Sequence, residues 1–448
     1  MANPAIPSAN QPQSMTALAS ITSALHRFVA PWLLYLRRYG RQTYIWTHRQ
    51  YGLIDACADI LDTSIPNVNC QSALGLSMPH QSRLPARRGT VTGFIFKLIR
   101  ESIPTSQDRL AAALGVDRAT VQSWESGRRP LTSVPFGQAI AMRNRLASLG
   151  ADTGLLGVLN DAAEADYLLT EIIDVDPEKA DTAHHPLGWL VLTHTLTDLI
   201  AWAVIDQAPA ITTSRPTPSR RGPVPSGPTL NAAEKVVFFA NLRIIVDRVS
   251  RLSGEQFLLH RQACFLASLD PTGSTAIWLR GATRARASAS TFHTWSPLWP
   301  DGRSLATSLA KQGDPELLRD FIAHAHPDDV CERAGLNYWA YWVGEFGNRQ
   351  HDDFFMTNLA LSWRGGKLLR HLTDRLDSTH PFIDLNIHSL WALLALRTGL
   401  AYDDPGTSRE LLVRGERVLD EDHVSAQSRR ELATVLYGLH FSGLTSKG

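Results

Sequence analysis

Residues 105–130 read TSQDRLAAALGVDRATVQSWESGRRP, and they hold the side chains best suited to chemistry at a surface. Val121 and Trp124 stand three apart, which puts them on one side of a helix beginning after Asp117. That spacing leaves Arg118, Ala119, Gln122 and Ser123 on the opposite side. An exposed arginine at the head of such a helix can span O6 and N7 of guanine with two hydrogen bonds. Ala119 offers no hydrogen bond, only a methyl group suited to the methyl of thymine. Behind the helix, Ser126, Arg128 and Arg129 flank Gly127, and basic groups there would hold phosphates whatever the base sequence. The chemistry is recognition by groove and backbone contacts.

Three helices and two turns must position these groups. Val91, Phe94, Ile95, Leu98 and Ile99 form an apolar stripe at helical spacing. The next helix is expected to open on Thr105 as N-cap with Asp108 three residues later. Leu110, Ala111 and Leu114 face inward, and the small Ala111 admits a close neighbour. Gly115 supplies the positive φ that ends the helix. Val116 plugs the turn, and Asp117 caps the following helix. Ala139, Met142, Leu146 and Leu149 give a fourth helix its packing face. The layout is a helix-turn-helix.

Gln107, Leu110, Ala111, Leu114-Gly115-Val116, Val121 and the run Trp124 to Pro130 together resemble the Cro/phage-repressor-like, or XRE, family of helix-turn-helix proteins. The resemblance covers residues 91–149 and implies double-stranded DNA as partner. It assigns base reading to Arg118, Ala119 and Ser123, with Gln122 nearby. It assigns phosphate contact to Gln107 at the start of the second helix, to Thr120, and to Ser126, Arg128 and Arg129. The segment departs from the family's pattern by starting at Val91 instead of near the N-terminus, and by carrying Ala119.

At 448 residues the chain is too long for one core, so two or three domains are expected. The net charge of +1 says nothing about partners, but the charge is segregated. Residues 83–145 carry 11 Arg and Lys against 4 Asp and Glu; residues 146–207 carry 1 Lys against 11 Asp and Glu. A basic block beside an acidic one fits a nucleic-acid-binding module next to a non-binding one. Arg outnumbers Lys 38 to 6, which points to a GC-rich bacterial genome. Cys57, Cys70, Cys264 and Cys331 form no CxxC pair, so no zinc or redox motif is indicated. Few cysteines and no signal peptide imply a cytoplasmic, nucleoid-associated protein. The longest apolar run, Leu187 to Ile205, contains His194 and Asp198 and reads as a buried helix rather than a membrane span.

The expected organisation is an N-terminal extension at 1–77, partly disordered, with Met78 a candidate start of natural translation. The DNA-binding domain follows at 78–149, an acidic helical segment at 150–207 and a proline-rich linker at 208–229. Residues 230–448 read as helices throughout, with amphipathic segments near 304–312, 315–325, 329–346, 352–363, 365–378, 382–399, 408–420 and 425–441. Short connections predict antiparallel hairpins, and their spacing suggests a solenoid of the TPR-like kind, although no tetratricopeptide signature is present. The fold class is therefore all-α, a small bundle followed by a larger helical domain.

Within that domain Tyr338, Trp339, Tyr341 and Trp342 are core by default and a ligand pocket by the sharper reading. His324, His326, Asp328 and Asp329 lack metal-ligand spacing and read as solvated, so no metal and no cofactor are expected. His351, Asp352 and Asp353 read as a helix start. Gly365-Gly366-Lys367 is no phosphate loop, and no catalytic constellation stands out. The expectation is a DNA-binding regulator, not an enzyme, working as a homodimer. Its C-terminal helices would sense a small molecule or peptide, or bind a protein partner. A helical interaction scaffold without specific DNA binding is the alternative.

Overall fold

The computed structural model describes residues 89–176, 182–213, 227–251, 256–286, 294–326, 328–421 and 423–441. The expectations for residues 1–77, for Met78 and for most of the 208–229 segment fall outside these residues. Among the described residues all regular structure is helical, with no strand.

Four helices form the motif: α1 (Thr90–Ser102), α2 (Gln107–Leu114), α3 (Arg118–Glu125) and α4 (Phe136–Ser148). Val91, Phe94, Ile95 and Ile99 of α1 are buried against Leu110, Ala111, Val121 and Trp124, as the apolar spacing predicts. Met142 and Leu146 of α4 close the base. Helix α2 begins one residue later than expected. Ser106, with extended backbone, is its N-cap, and its hydroxyl accepts the Arg109 N–H at 3.3 Å. Thr105 turns its hydroxyl to the Ser106 carbonyl instead. Gly115 ends α2 at φ 70°, and Asp117 caps α3 by accepting the Thr120 N–H at 2.5 Å.

Helix α1 has no cap of its own, because Gly89 precedes it. Its first amides are taken by a carboxylate far along the chain, on α5 (Thr153–Ile173). Asp166 accepts the Val91 and Thr92 N–H groups at 2.9 and 2.8 Å and the Thr92 hydroxyl at 2.5 Å. The motif therefore shares a core with the helices behind it. One apolar cluster runs from Val91 through α5, α6 (His194–Ile205), α8 (Ala232–Arg251) and α9 (Phe257–Ala267) to Leu309. The short α7 (Ala210–Thr213) follows α6. Residues 189–193 are not helical, so the long apolar run is broken into a loop and one buried helix, and no described helix is long and apolar enough to cross a membrane.

The remaining helices are α10 (Gly273–Arg286), α11 (Leu298–Lys311), α12 (Glu316–His324), α13 (Asp329–Trp342), α14 (Gly366–Asp374), α15 (Ile383–Leu396), α16 (Leu400–Asp403), α17 (Pro405–Asp420) and α18 (Ala426–Phe441). Most pack against a chain neighbour and against a helix two or three positions further on. A second cluster, from Trp299 to Leu439, fills this half. The helix expected over 352–363 is instead a 3-10 turn at Asp353–Thr357 followed by irregular chain. Asp352 and Asp353 do open this short helix, Asp352 as its N-cap, and Asp353 is in addition buried, accepting from Arg261 Nε at 2.9 Å and Nη2 at 2.5 Å. The Asn337 amide donates to the Met356 carbonyl at 2.8 Å, which fixes this segment against α13 in place of a helical ladder.

Candidate nucleic-acid interface

The outward side of α3 is built by what the inward side buries. Val121 and Trp124 are inside, the Trp124 ring meeting Phe96 edge-on at 5.8 Å. Arg118 and Ala119 are exposed, and Gln122 and Ser123 are half-buried. All four share the side predicted from spacing. Arg118 lies 3.5 Å from Asp108 of α2, both side chains more than half exposed. The Thr120 N–H holds the Asp117 carboxyl below the usual carboxylate range, so the cap stays ionised at the head of α3.

Gln122 and Gln107 are coupled. Gln122 Nε2 donates to Gln107 Oε1 at 3.2 Å, and Gln107 Nε2 donates to Glu125 Oε2 at 2.6 Å. Arg100 of α1 ion-pairs with the same Glu125. The chain Arg100–Glu125–Gln107–Gln122 crosses three helices and orients the two glutamines at the surface. Gln107 sits at the first position of α2, where the backbone amides at a helix start face outward and favour an anion.

The loop after α3 turns at Gly127, φ 71°, where a Cβ would stand 2.8 Å from the Gly89 carbonyl oxygen. A Cβ on Gly93 would overlap the Trp124 carbonyl. These glycines let the loop and α3 lie directly on α1, an approach no helical pattern signals. Ser126, Arg128 and Arg129 are exposed there, with Arg128 Nε donating to Ser126 Oγ at 3.2 Å. Sequence spacing therefore predicted which side of α3 is turned outward, with Arg118 and Ala119 exposed and Gln122 and Ser123 half-buried. It missed Glu125 as the acceptor that ties the helices, and Asp166 as the cap of α1. The signal for Asp166 was an acid on an apolar stripe, between Ala162, Ala165 and Leu169. Burial pushes its pKa up to about 6 against the hydrogen bonds it accepts from Thr90, Val91 and Thr92.

In the larger helical region the predicted aromatics divide. Tyr338, Trp339 and Trp342 line a cavity of about 380 Å³. Tyr341 borders a neighbouring cavity of about 540 Å³, and its hydroxyl donates to the Val191 carbonyl at 2.6 Å. His324 is exposed as expected, but His326 is not solvated. Its ring packs on Trp299, Phe321 and His388, and burial lowers its pKa to about 3. His326, Glu332 and His388 place their ligand atoms within 4.8 Å of one another, a grouping invisible in sequence. His388 lies between Glu332 at 3.2 Å and Glu431 at 3.1 Å, and despite burial their contacts raise its pKa to about 9.

Residues 96–134 match the family described as Helix-turn-helix, of the XRE type. That family is one of DNA-binding, non-enzymatic domains. No curated protein and no solved structure matches the chain.

Proposed function

We propose that this XRE-type helix-turn-helix makes the chain a bacterial, sequence-specific transcriptional regulator acting on double-stranded DNA. In this reading α3 enters the major groove. Arg118, Ala119, Gln122 and Ser123 read base edges, while Gln107, Thr120, Ser126, Arg128 and Arg129 hold phosphates. The observation that carries it is the division of α3. Val121 and Trp124 are inside, Arg118 is exposed, and a basic glycine turn stands directly behind.

One such helix reads a few base pairs, so a homodimer spanning two half-sites a helical turn apart is part of the proposal. Phe136 and Ile140 support it, being 82% and 46% exposed and one turn apart on α4. The protein would work in the cytoplasm at the nucleoid, without a cofactor, and the helices from 230 onward would sense an effector or bind a partner. The test is titration of the full-length protein against genomic fragments at moderate salt. Saturable preference for particular fragments is expected. Uniform affinity for all fragments would reject specific reading and leave the helical scaffold as the function.

A further inference from the structure

The cavity beside Tyr338, Trp339 and Trp342 has an unusual charge balance. Three cations line it, Arg303 and Lys311 of α11 and Arg375, against one carboxylate, Asp198 of α6. Asp198 is already engaged with His194 at 3.1 Å. Arg375 donates to ring nitrogens, His371 Nδ1 and His194 Nε2, both at 3.1 Å, and is within electrostatic reach of Asp198 and Asp374. Arg303 is 6% exposed, and among the described residues it has no ion pair. Its Nη2 is buried without a hydrogen-bond partner. Its guanidinium lies instead over the rings of Tyr338 at 4.6 Å and Trp339 at 5.0 Å. The histidines lining the cavity are held neutral by burial, with pKa values of His194 and His380 near about 4 and His371 near about 2, so they add no charge at neutral pH.

Asp198 acts on both Arg375 and Lys311, and Asp374 acts on Arg375, so the positive charge left without a carboxylate inside this aromatic-lined hollow is that of Arg303. Burying a guanidinium without an anion opposes folding, because its hydration is lost and no partner replaces it. Such a group persists where a ligand completes it. A volume of about 380 Å³ suits one small molecule. Aromatic walls suit a planar body, and an unpartnered Nη2 suits an oxyanion.

We propose that this cavity binds a small planar aromatic acid, its ring against Trp339 and Trp342 and its carboxylate or phosphate head on Arg303 and Lys311. The proposal rests on the reading of the C-terminal helices as a sensor and names what they sense. Helix α6 connects the cavity to the DNA-binding motif. It carries Asp198 on the cavity wall and, one turn on, Trp202, whose ring meets Phe94 of α1 edge-on at 5.0 Å.

The test uses full-length protein without DNA, titrated with 1-naphthyl phosphate, 1-naphthoate, neutral 1-naphthol and inorganic phosphate, read by calorimetry and tryptophan fluorescence. At least one naphthyl acid should bind about ten- to a hundredfold tighter than 1-naphthol, the range expected of charge-assisted hydrogen bonds. It should also bind tighter than inorganic phosphate, and the tighter acid identifies the head group. Arg303→Met should bring the acid down to the level of 1-naphthol while raising the melting temperature of the free protein, since an unpaired buried charge is removed. A purely structural Arg303 would give the opposite stability change. Lys311→Gln carries the same binding test should the first variant not fold. The proposal is overturned if 1-naphthol binds as tightly as the acids, if no probe saturates, or if both variants keep the acid's affinity. Because DNA is absent, failure here leaves specific DNA binding standing, and failure of the fragment titration leaves this result intact.

Discussion

Arg118 rests 3.5 Å from Asp108 with both side chains in solvent, an arrangement worth only about 0–1 kcal/mol. A guanine edge offering two acceptors competes easily with such a pair. Arg118→Ala should therefore weaken binding to the preferred fragment by about 1–3 kcal/mol and leave random DNA nearly unaffected. Arg128→Ala should weaken both and lower the salt slope by about one. Fluorescence anisotropy on matched specific and random duplexes across a salt series separates the two. Equal losses for Arg118→Ala on both duplexes would remove it from base reading. The outward direction of Arg118 was legible because Val121 and Trp124 dictate it through local spacing. The tethering of Gln122 was not. Its chain of partners ends on Arg100, 25 residues from Glu125 in sequence, and only packing of α1 on α3 brings them together.

At the scale of elements, the motif is anchored by a residue outside it. Asp166 supplies α1 with the cap that Gly89 lacks, so α1 and α5 behave as one unit. Burial raises the Asp166 pKa to about 6 from the ordinary 3.8. The folded state therefore holds a proton that the unfolded state has released between those values. Its contribution to stability is present below that window and is lost as pH rises through it. Asp166→Asn keeps one acceptor oxygen and removes the titration. The variant should be less stable by about 1–3 kcal/mol, with the gap wider near about pH 5 than near about pH 7.5. Urea unfolding at both values checks this, and a pH-independent gap would show that Asp166 does not titrate in that range. Helices whose apolar period is local were readable from sequence. The 352–363 segment was misread because Phe354, Phe355 and Met356 mimic a helical stripe. The bonds that set its backbone come from Arg261 and Asn337 elsewhere in the chain.

At the scale of the whole molecule, burial holds five histidines neutral among the described residues. His185, His194 and His380 fall to about 4, His326 to about 3 and His371 to about 2. A folded pKa below the unfolded one means that the unfolded chain takes up protons first as pH falls. These five contribute stability above about 6.5 that is lost progressively below it. His388, raised to about 9, and the buried acids Asp161, Glu164, Asp166 and Asp198, all raised, act in the opposite sense, but His388 keeps its charge throughout the interval below about 6.5 and the acids are displaced less far than the histidines. The urea midpoint should therefore drop steadily from about pH 7 to about pH 5. A midpoint that holds or rises over that interval would show that these rings are hydrated in the folded protein. The sequence alone established the all-helical class, the helix-turn-helix and the direction in which α3 faces, since each follows from spacing and caps within a few residues. Tertiary structure alone decided that the motif is capped by Asp166, that Arg303 lies unpaired beside Tyr338 and Trp339, and that His388 stands between Glu332 and Glu431. Partners separated by 35 to 75 residues leave no periodic trace; they meet only because distant helices share a core, and their charges acquire consequence only where that core excludes water.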